Sequence, residues 1–284
     1  MIPASFDYVA PTTLDEALAA LAEHGDDAKV LGGGQSLLPV LRMRLNAPEV
    51  VVDLGRIEEL RGIREDADAI VIGAMTTYSD VLADASVGEH IALLHKAVAE
   101  VADEQIRHRG TVGGAVVHAD PAGDVGPAVL ALDAEMVVAG PSGRRTVPAA
   151  DFFTDLFETA VGEGEVLVEI RFPKHTGWGA HYEKFVRVSH QWSVVAVAAT
   201  VKADGGTITE AKVALANMGS TPLRASATEA ALTGQPATDD AVRAAAASAA
   251  DGTNPPSDLN GDADYRRHLA TVLTRRAVLA AAGS

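Results

Sequence analysis

The chain of 284 residues contains no cysteine. Disulfides and cysteine-ligated iron–sulfur clusters are therefore excluded within it, which fits a reducing compartment. Basic charge is scarce: 23 Lys and Arg stand against 39 Asp and Glu, a formal net charge of −16. Such a balance argues against a nucleic-acid or anionic-membrane partner. There is no run of about 18 consecutive apolar residues, so no membrane insertion is expected. The opening, MIPASFDYVAPTTLDEAL, lacks the basic head and apolar core of a signal peptide. The expectation is a soluble, cytoplasmic protein.

Several catalytic signatures are missing as well. Gly32-Gly33-Gly34 is followed by Gln35, Ser36 and Leu37, so the third glycine of the Rossmann fingerprint is absent. Nowhere does Gly-Lys-Ser/Thr mark a Walker A loop, and no G-x-S-x-G elbow marks a hydrolase. His175, His181 and His190 form no helical ligand pair with a carboxylate, so no metal site is expected.

What is present is a hydrophobic fraction of 48%, enough for a large core and two domains. Two glycine-rich segments stand out, LGGGQSLLP at Leu31–Pro39 and RGTVGGAVVHADPAGD at Arg109–Asp124. Glycine turns can present successive backbone N–H groups to an anion without side chains in the way. Ser36 and Thr111 add hydroxyl donors. Two such turns in one chain point to the two phosphates of a dinucleotide.

Around these turns the pattern alternates strands and helices. Thr12 or Thr13 caps a helix that places Leu14, Leu18 and Leu21 on one face and stops at Gly25. Strands are predicted at Ala28–Leu31, Glu49–Leu54, Ala69–Ala74, Glu135–Ala139 and Val166–Phe172, and helices at Ser36–Leu45, Tyr78–Ala83, Glu89–Val101 and Asp124–Leu132. Pro173–Gly179 reads as a domain boundary. Beyond it come strands at Tyr182–Val188, Ser193–Lys202 and Thr207–Asn217, the last two joined by an Asp-Gly-Gly hairpin. Alanine-rich helices at Arg224–Leu232, Asp239–Ala250 and Asp264–Ala282 complete the chain.

Three motifs in this order, LGGGQSLLPVLRMRL, GTVGGAVVHADPAGD and YEKFVRVSHQWSVVAVAA, resemble the FAD-binding subunit of molybdenum hydroxylases. This is the flavoprotein component of the xanthine dehydrogenase family, and the likeness is strongest to the medium-subunit type of aerobic carbon monoxide dehydrogenases. The resemblance covers nearly the whole chain. It implies an α+β fold with a two-part FAD-binding domain of the vanillyl-alcohol-oxidase/PCMH type, residues 1–176, divided into about 1–55 and 56–176. A small α/β C-terminal domain, residues 177–284, would follow, with an antiparallel sheet plus helices.

The resemblance also assigns residues. Gly32, Gly33, Gly34, Gln35 and Ser36, with Thr111, Gly113 and Gly114, would hold the pyrophosphate of a non-covalent FAD. Asp124 would bond a ribose, although it also reads as a helix cap. Lys184 would place a cation beside the flavin's pyrimidine edge; its alternative is a solvated strand lysine. Trp192 would lie against the isoalloxazine or serve as a core aromatic, Leu167 would pack near the cofactor or simply in a strand, and His118 would touch the flavin or sit in the core. Asp120, before Pro121, reads as a turn former. Ala115 departs from the family, which commonly has Asn or Ser there.

The implied partners are a small subunit with [2Fe-2S] clusters and a large subunit with a molybdenum–pterin cofactor, assembled as a dimer of heterotrimers. Electrons would pass through FAD to an external acceptor such as a quinone. The alternatives are the same role in a molybdenum hydroxylase for xanthine, aldehydes or N-heterocycles, or a stand-alone FAD oxidoreductase.

Overall fold

The computed structural model describes residues 2–283 and is an α+β protein. Its first sheet is parallel and has three strands, β1 (Asp7–Val9), β2 (Ala28–Leu31) and β3 (Val50–Asp53), in the order β1-β3-β2. Helix α1 (Leu14–His24) connects β1 to β2. Thr13 starts it with a reciprocal capping box to Glu16, and Gly25, at φ +49°, ends it. Leu14, Ala17 and Leu21 bury against Val50 and Val52. Strand β2 then leads into the first glycine turn, and α2 (Leu37–Arg42) begins just after Ser36. The helix is shorter than the Ser36–Leu45 span predicted from sequence, and Pro39 lies in its first turn, where no N–H is missed.

The second sheet is antiparallel. It contains β4 (Ile63–Glu65), β5 (Ala69–Gly73), β6 (Glu135–Gly140) and β7 (Gly143–Pro148). After a two-stranded ribbon, β8 (Phe153–Asp155) and β9 (Glu158–Thr159), comes its central strand, β10 (Val166–Pro173). The order is β4-β5-β10-β6-β7. Between β5 and β6 run α3 (Tyr78–Ala83), α4 (Ala85–His90), α5 (Ala92–Ala99), α6 (Glu104–Arg107), α7 (Val112–His118) and α8 (Val125–Ala131). The apolar sides of α3, α4, α5, α7 and α8 share one core with Ile70, Ile72, Met136, Val138 and Ile170. A four-residue helix, α9 (Ala149–Phe152), precedes the ribbon.

Two sequence expectations are corrected here. The helix expected over Glu89–Val101 is two helices, because Ile91 leaves the helical region (φ −136°, ψ +48°). The second glycine segment is not a free turn: Gly113 and Gly114 form the first turn of α7, capped by the Thr111 hydroxyl, which accepts from Gly114 N.

The remaining strands, β11 (Gly179–Phe185), β12 (Val195–Asp204), β13 (Thr207–Ala216) and β14 (Leu223–Arg224), form an antiparallel sheet in chain order. The β12–β13 hairpin turns through Gly205 and Gly206, both at positive φ, as the Asp-Gly-Gly signal required. Alternation divides this sheet sharply. Val195, Val197, Ala199, Val201, Val213 and Leu215 join a core with α10 (Ser226–Leu232), α11 (Asp239–Ala246) and α12 (Ala263–Ala282). Ala196, Ala198, Ala214 and Ala216 point the other way, into the core containing α5 and α8. Methyl-sized side chains on that face let the preceding helices pack directly on the sheet. Among the described residues no helix is long and apolar enough to cross a membrane.

An ionic latch spans the same junction. Asp133, at φ +50° just after α8, accepts hydrogen bonds from Lys212 of β13 and from Arg224 Nη1 of β14 at 2.5 Å. Burial raises the Asp133 carboxyl, but the bonds from Lys212 and Arg224 outweigh it and hold the pKa below the usual value. A lowered acid stabilises the fold above its unfolded pKa and ceases to do so as pH falls through the folded one. Asp133→Asn tolerates the left-handed backbone and so isolates the charge. Because the side chain is 47% exposed, it should cost only about 1 kcal/mol at pH 7. Thermal unfolding at pH 7 and pH 3 should show that loss shrinking on acidification.

Candidate functional site

A single cavity of about 650 Å³ collects every candidate residue named from the sequence: both glycine segments, His118, Asp124, Leu167, Lys184 and Trp192 all line it. Its size suits a large cofactor rather than a small metabolite. Strand β2 delivers the first glycine turn to one side, the start of α7 delivers the second, β10 supplies the floor at Leu167, and β11 brings in Lys184.

The two glycine segments pack directly on each other. A Cβ on Gly33 would lie 2.1 Å from the Arg109 carbonyl oxygen and 2.7 Å from Gly110 Cα. One on Gly32 would lie 3.2 Å from the Thr111 hydroxyl. At Gly113 it would meet the Ala74 carbonyl oxygen at 2.5 Å, and at Gly114 the Thr111 hydroxyl at 2.7 Å. Gly33 and Gly113 allow contact between backbones that any side chain would separate, while Gly32 and Gly114 leave room for the Thr111 hydroxyl. Gly34 adds a positive φ of +76°.

The two segments differ in what they offer a ligand. Among the described residues, the N–H groups of Gly32, Gly33, Gly34, Gln35 and Ser36 have no protein acceptor, and the Ser36 hydroxyl caps nothing. Gln35 folds its amide back onto Gly33 O at 3.0 Å. Five successive donors on one cavity wall are thus available to an acceptor in the cavity. In the second segment the donors are engaged. Val112 N bonds Thr76 O, Gly113 N bonds Ala74 O, Gly114 N bonds the Thr111 hydroxyl, and Ala115 N bonds Thr111 O. The second segment therefore offers fewer open amides than the first, since those of Val112 to Ala115 are engaged within the protein. It brings the Thr111 hydroxyl beside the first.

Asp124 sits at the head of α8 without capping it. Its carboxylate instead accepts from Tyr182 OH at 2.8 Å and from Lys184 Nζ at 2.8 Å, while Lys184 also donates to Glu100 O at 2.9 Å. Lys184 is only 5% exposed, so it is neither a solvated strand lysine nor an isolated cation. Burial pushes the Asp124 carboxyl up to about 6, against the opposing pull of Lys184 and Tyr182. Burial also raises the Tyr182 phenol, with the Asp124 charge adding to it.

The other candidates divide by environment. Leu167 is buried at a register shift in β10, where the strand yields its cavity-facing side chain. The His118 ring lies 5.1 Å from that of Phe157 at the tip of the β8–β9 ribbon. Trp192 is 64% exposed, which rules out a core role. Asp120 forms its turn by accepting from Ala122 N.

Sequence reasoning missed the wall formed by Ala102, Asp103 and Ile106, and the neighbours His190 and Gln191. Ala102, Ala119 and His190 share a rare feature, positive φ in a non-glycine residue. Nothing in their residue types announces it.

Known proteins sharing these features are consistent in kind. The FAD binding domain in molybdopterin dehydrogenase matches residues 4–175, and the CO dehydrogenase flavoprotein C-terminal domain matches residues 180–281. The chain is 42% identical to the carbon monoxide dehydrogenase medium chain of Hydrogenophaga pseudoflava, over 99% of this chain and 98% of that one. It is 36% identical to the glyceraldehyde dehydrogenase medium chain of Sulfolobus acidocaldarius, over 98% of each. Among solved structures, carbon monoxide dehydrogenase from Hydrogenophaga pseudoflava superposes with a TM-score of 0.96, covering 99% of this chain and 98% of that chain at 45% identity. Quinoline 2-oxidoreductase from Pseudomonas putida 86 gives 0.95 at 34% identity, over 100% and 99%.

Two outcomes test the site. Gly33→Ala drives a methyl into the Arg109 carbonyl and should abolish flavin retention, whereas Ser36→Ala should weaken it by about 1–2 kcal/mol. Flavin absorbance per chain after purification reads both. In the flavin-free protein the Asp124 carboxyl should lose its proton with a midpoint of about 6. Infrared difference titration should show that band, and Asp124→Asn should remove it.

Proposed function

Because the chain belongs to the FAD-binding medium subunits of molybdenum-containing dehydrogenases, we propose that it serves an aerobic carbon monoxide dehydrogenase as the electron exit. The family membership makes it a flavoprotein subunit of an oxidoreductase. The finer reading adds the reaction and the route. A small partner would carry [2Fe-2S] clusters and a large partner the molybdenum–pterin site where substrate is oxidised. The absence of cysteine from this chain agrees with clusters held elsewhere. A dimer of such heterotrimers, with a quinone as external acceptor, completes the proposal.

The observation that carries it is the row of amides from Gly32 to Ser36 without a protein acceptor, with the Thr111 hydroxyl beside it on the same cavity. That donor set fits a pyrophosphate: the acceptors are anionic, and dipoles can neutralise them in a chain of net negative charge. In this reading Gly32–Ser36 and Thr111 hold the phosphates, and Gly113 and Gly114 keep the two segments in register. Asp124 accepts from ribose hydroxyls, Lys184 faces the flavin's pyrimidine edge, and Leu167, His118 and Trp192 bound the ring. FAD, when bound, supplies the exchange of electrons between metal centres and a soluble or membrane-borne acceptor. This chain's residues bind it, exclude water from it and set its electrostatic surroundings.

The likeness to a quinoline oxidoreductase supports a second reading, the same role in a hydroxylase for another substrate. Substrate choice would then belong to the large partner.

Purification of untagged protein from its source decides the assignment. Native mass spectrometry should find this chain with one small and one large subunit. An active assembly of this chain alone would overturn the subunit reading. Acid precipitation should leave all the yellow colour in the supernatant, because cysteine is absent and neither His118 nor the tyrosines carry an attachment motif known in this family. Colour retained on denatured protein would reveal a covalent flavin instead.

A further inference from the structure

Two loops of the cavity wall come from distant parts of the chain. One is the Asp120–Asp124 turn leading into α8; the other is His190–Trp192, in the connection between β11 and β12. They are tied together immediately behind the cavity. Ser193 Oγ donates to Ala122 O at 3.0 Å, and Asn217 N donates to Pro121 O at 2.7 Å. The Asn217 side-chain amide donates to Ser193 O at 2.9 Å and to Val194 O at 3.3 Å. Arg266 of α12 donates to the same Val194 carbonyl and, through Nη2, to Asp258 at 2.7 Å.

Three features separate this tie from ordinary packing. Asn217 holds φ +60°, a conformation asparagine tolerates better than most side chains, and in it serves both loops at once. Arg266 is fully buried, which is expensive for a guanidinium unless its bonds fix something in place. Trp192, one residue before Ser193, is 64% exposed, so packing does not set its position; the anchored backbone does. The far end of the loop is held from the same place, since Arg187 donates to Leu259 O and Asn260 Oδ1, next to Asp258. The segment before α12 thus grips both ends of the loop that carries Trp192.

We propose that Asn217 and Arg266 are positioning residues for the flavin. Acting through the Ser193 and Val194 carbonyls, they hold Trp192 and the Asp120–Asp124 turn in one arrangement, so that the C-terminal domain completes a site whose phosphate end lies in the first domain. This rests on the FAD reading above.

The test uses the full chain in a Trp178→Phe background, which leaves Trp192 as the single tryptophan. FAD is added to flavin-stripped protein, and both the Kd and the quenching of Trp192 emission at saturation are recorded. Asn217→Gly keeps the positive φ but removes the amide, and Arg266→Met removes the guanidinium while keeping much of its bulk. Each should weaken FAD binding about tenfold, the effect of losing hydrogen bonds to backbone acceptors. Each should also reduce the saturated quenching, because the ring is no longer held. Arg266→Lys should recover part of both. Val278→Ala, a buried truncation in the same helix, controls for stability: it should lower Tm yet leave Kd and quenching unchanged.

Unchanged Kd and quenching in Asn217→Gly and Arg266→Met would overturn the positioning role, as would equal losses in Val278→Ala. A parent chain that takes up no FAD would instead overturn the cofactor reading and this inference with it.

Discussion

The Arg109 carbonyl oxygen occupies the space where a side chain on Gly33 would begin. That contact sets the first glycine turn against the segment opening α7, beside the side-chain core that Val50 and Val52 share with Ala139, Val166 and Val168. Strand β2 ends against the segment that opens α7, with Gly32 over Thr111 and Gly113 against the Ala74 backbone. Gly33 and Gly113 permit an approach shorter than any Cβ allows. At Gly33 and Gly113 backbone contact takes the place of side-chain packing, while the sheets behind them pack through side chains. Order in the first turn leaves amides facing outward; order in the second satisfies them internally. One wall of the cavity thus combines an open nest with a closed support.

Much of this was legible in the sequence, for specific reasons. Capping and stop signals gave α1 from Thr13 to Gly25, and strands such as Ala28–Leu31 announced themselves by pattern. The hairpin at Gly205-Gly206 followed from its turn chemistry. The glycine segments stand out in the sequence and the fold brings them to one cavity, but their difference in open amides is not visible in the pattern. Whether an amide is free depends on what the fold places opposite it, and Ala74 and Thr76 are far from α7's own residues in the pattern. The same limit hid the Asp124–Lys184 pair. Sequence gave each residue a separate role, whereas β11 and the head of α8 meet only in three dimensions. The short strands Ile63–Glu65 and Gly143–Pro148 were missed because edge positions carry little alternation of burial.

The electrostatics follow from the same geometry. With a net charge of −16 the chain cannot attract a dinucleotide through its overall field. Binding must be local, and in the proposed site the dipoles available for it are the unpaired amides at one end and the hydroxyls of Ser36 and Thr111. At the other end the available cation is already partnered, because Lys184 is bonded to Asp124 and to the Glu100 carbonyl. A paired ammonium presents less charge to the cavity than a bare one, so this end is polar without being strongly positive. Its balance depends on Asp124, whose carboxyl burial lifts to about 6. Above that pH the pair is close to neutral; below it, protonation of Asp124 leaves Lys184 as an uncompensated charge. The electrostatic setting at this end of the cavity is therefore a property of the pair, and Tyr182, which bonds the same carboxylate, belongs to it.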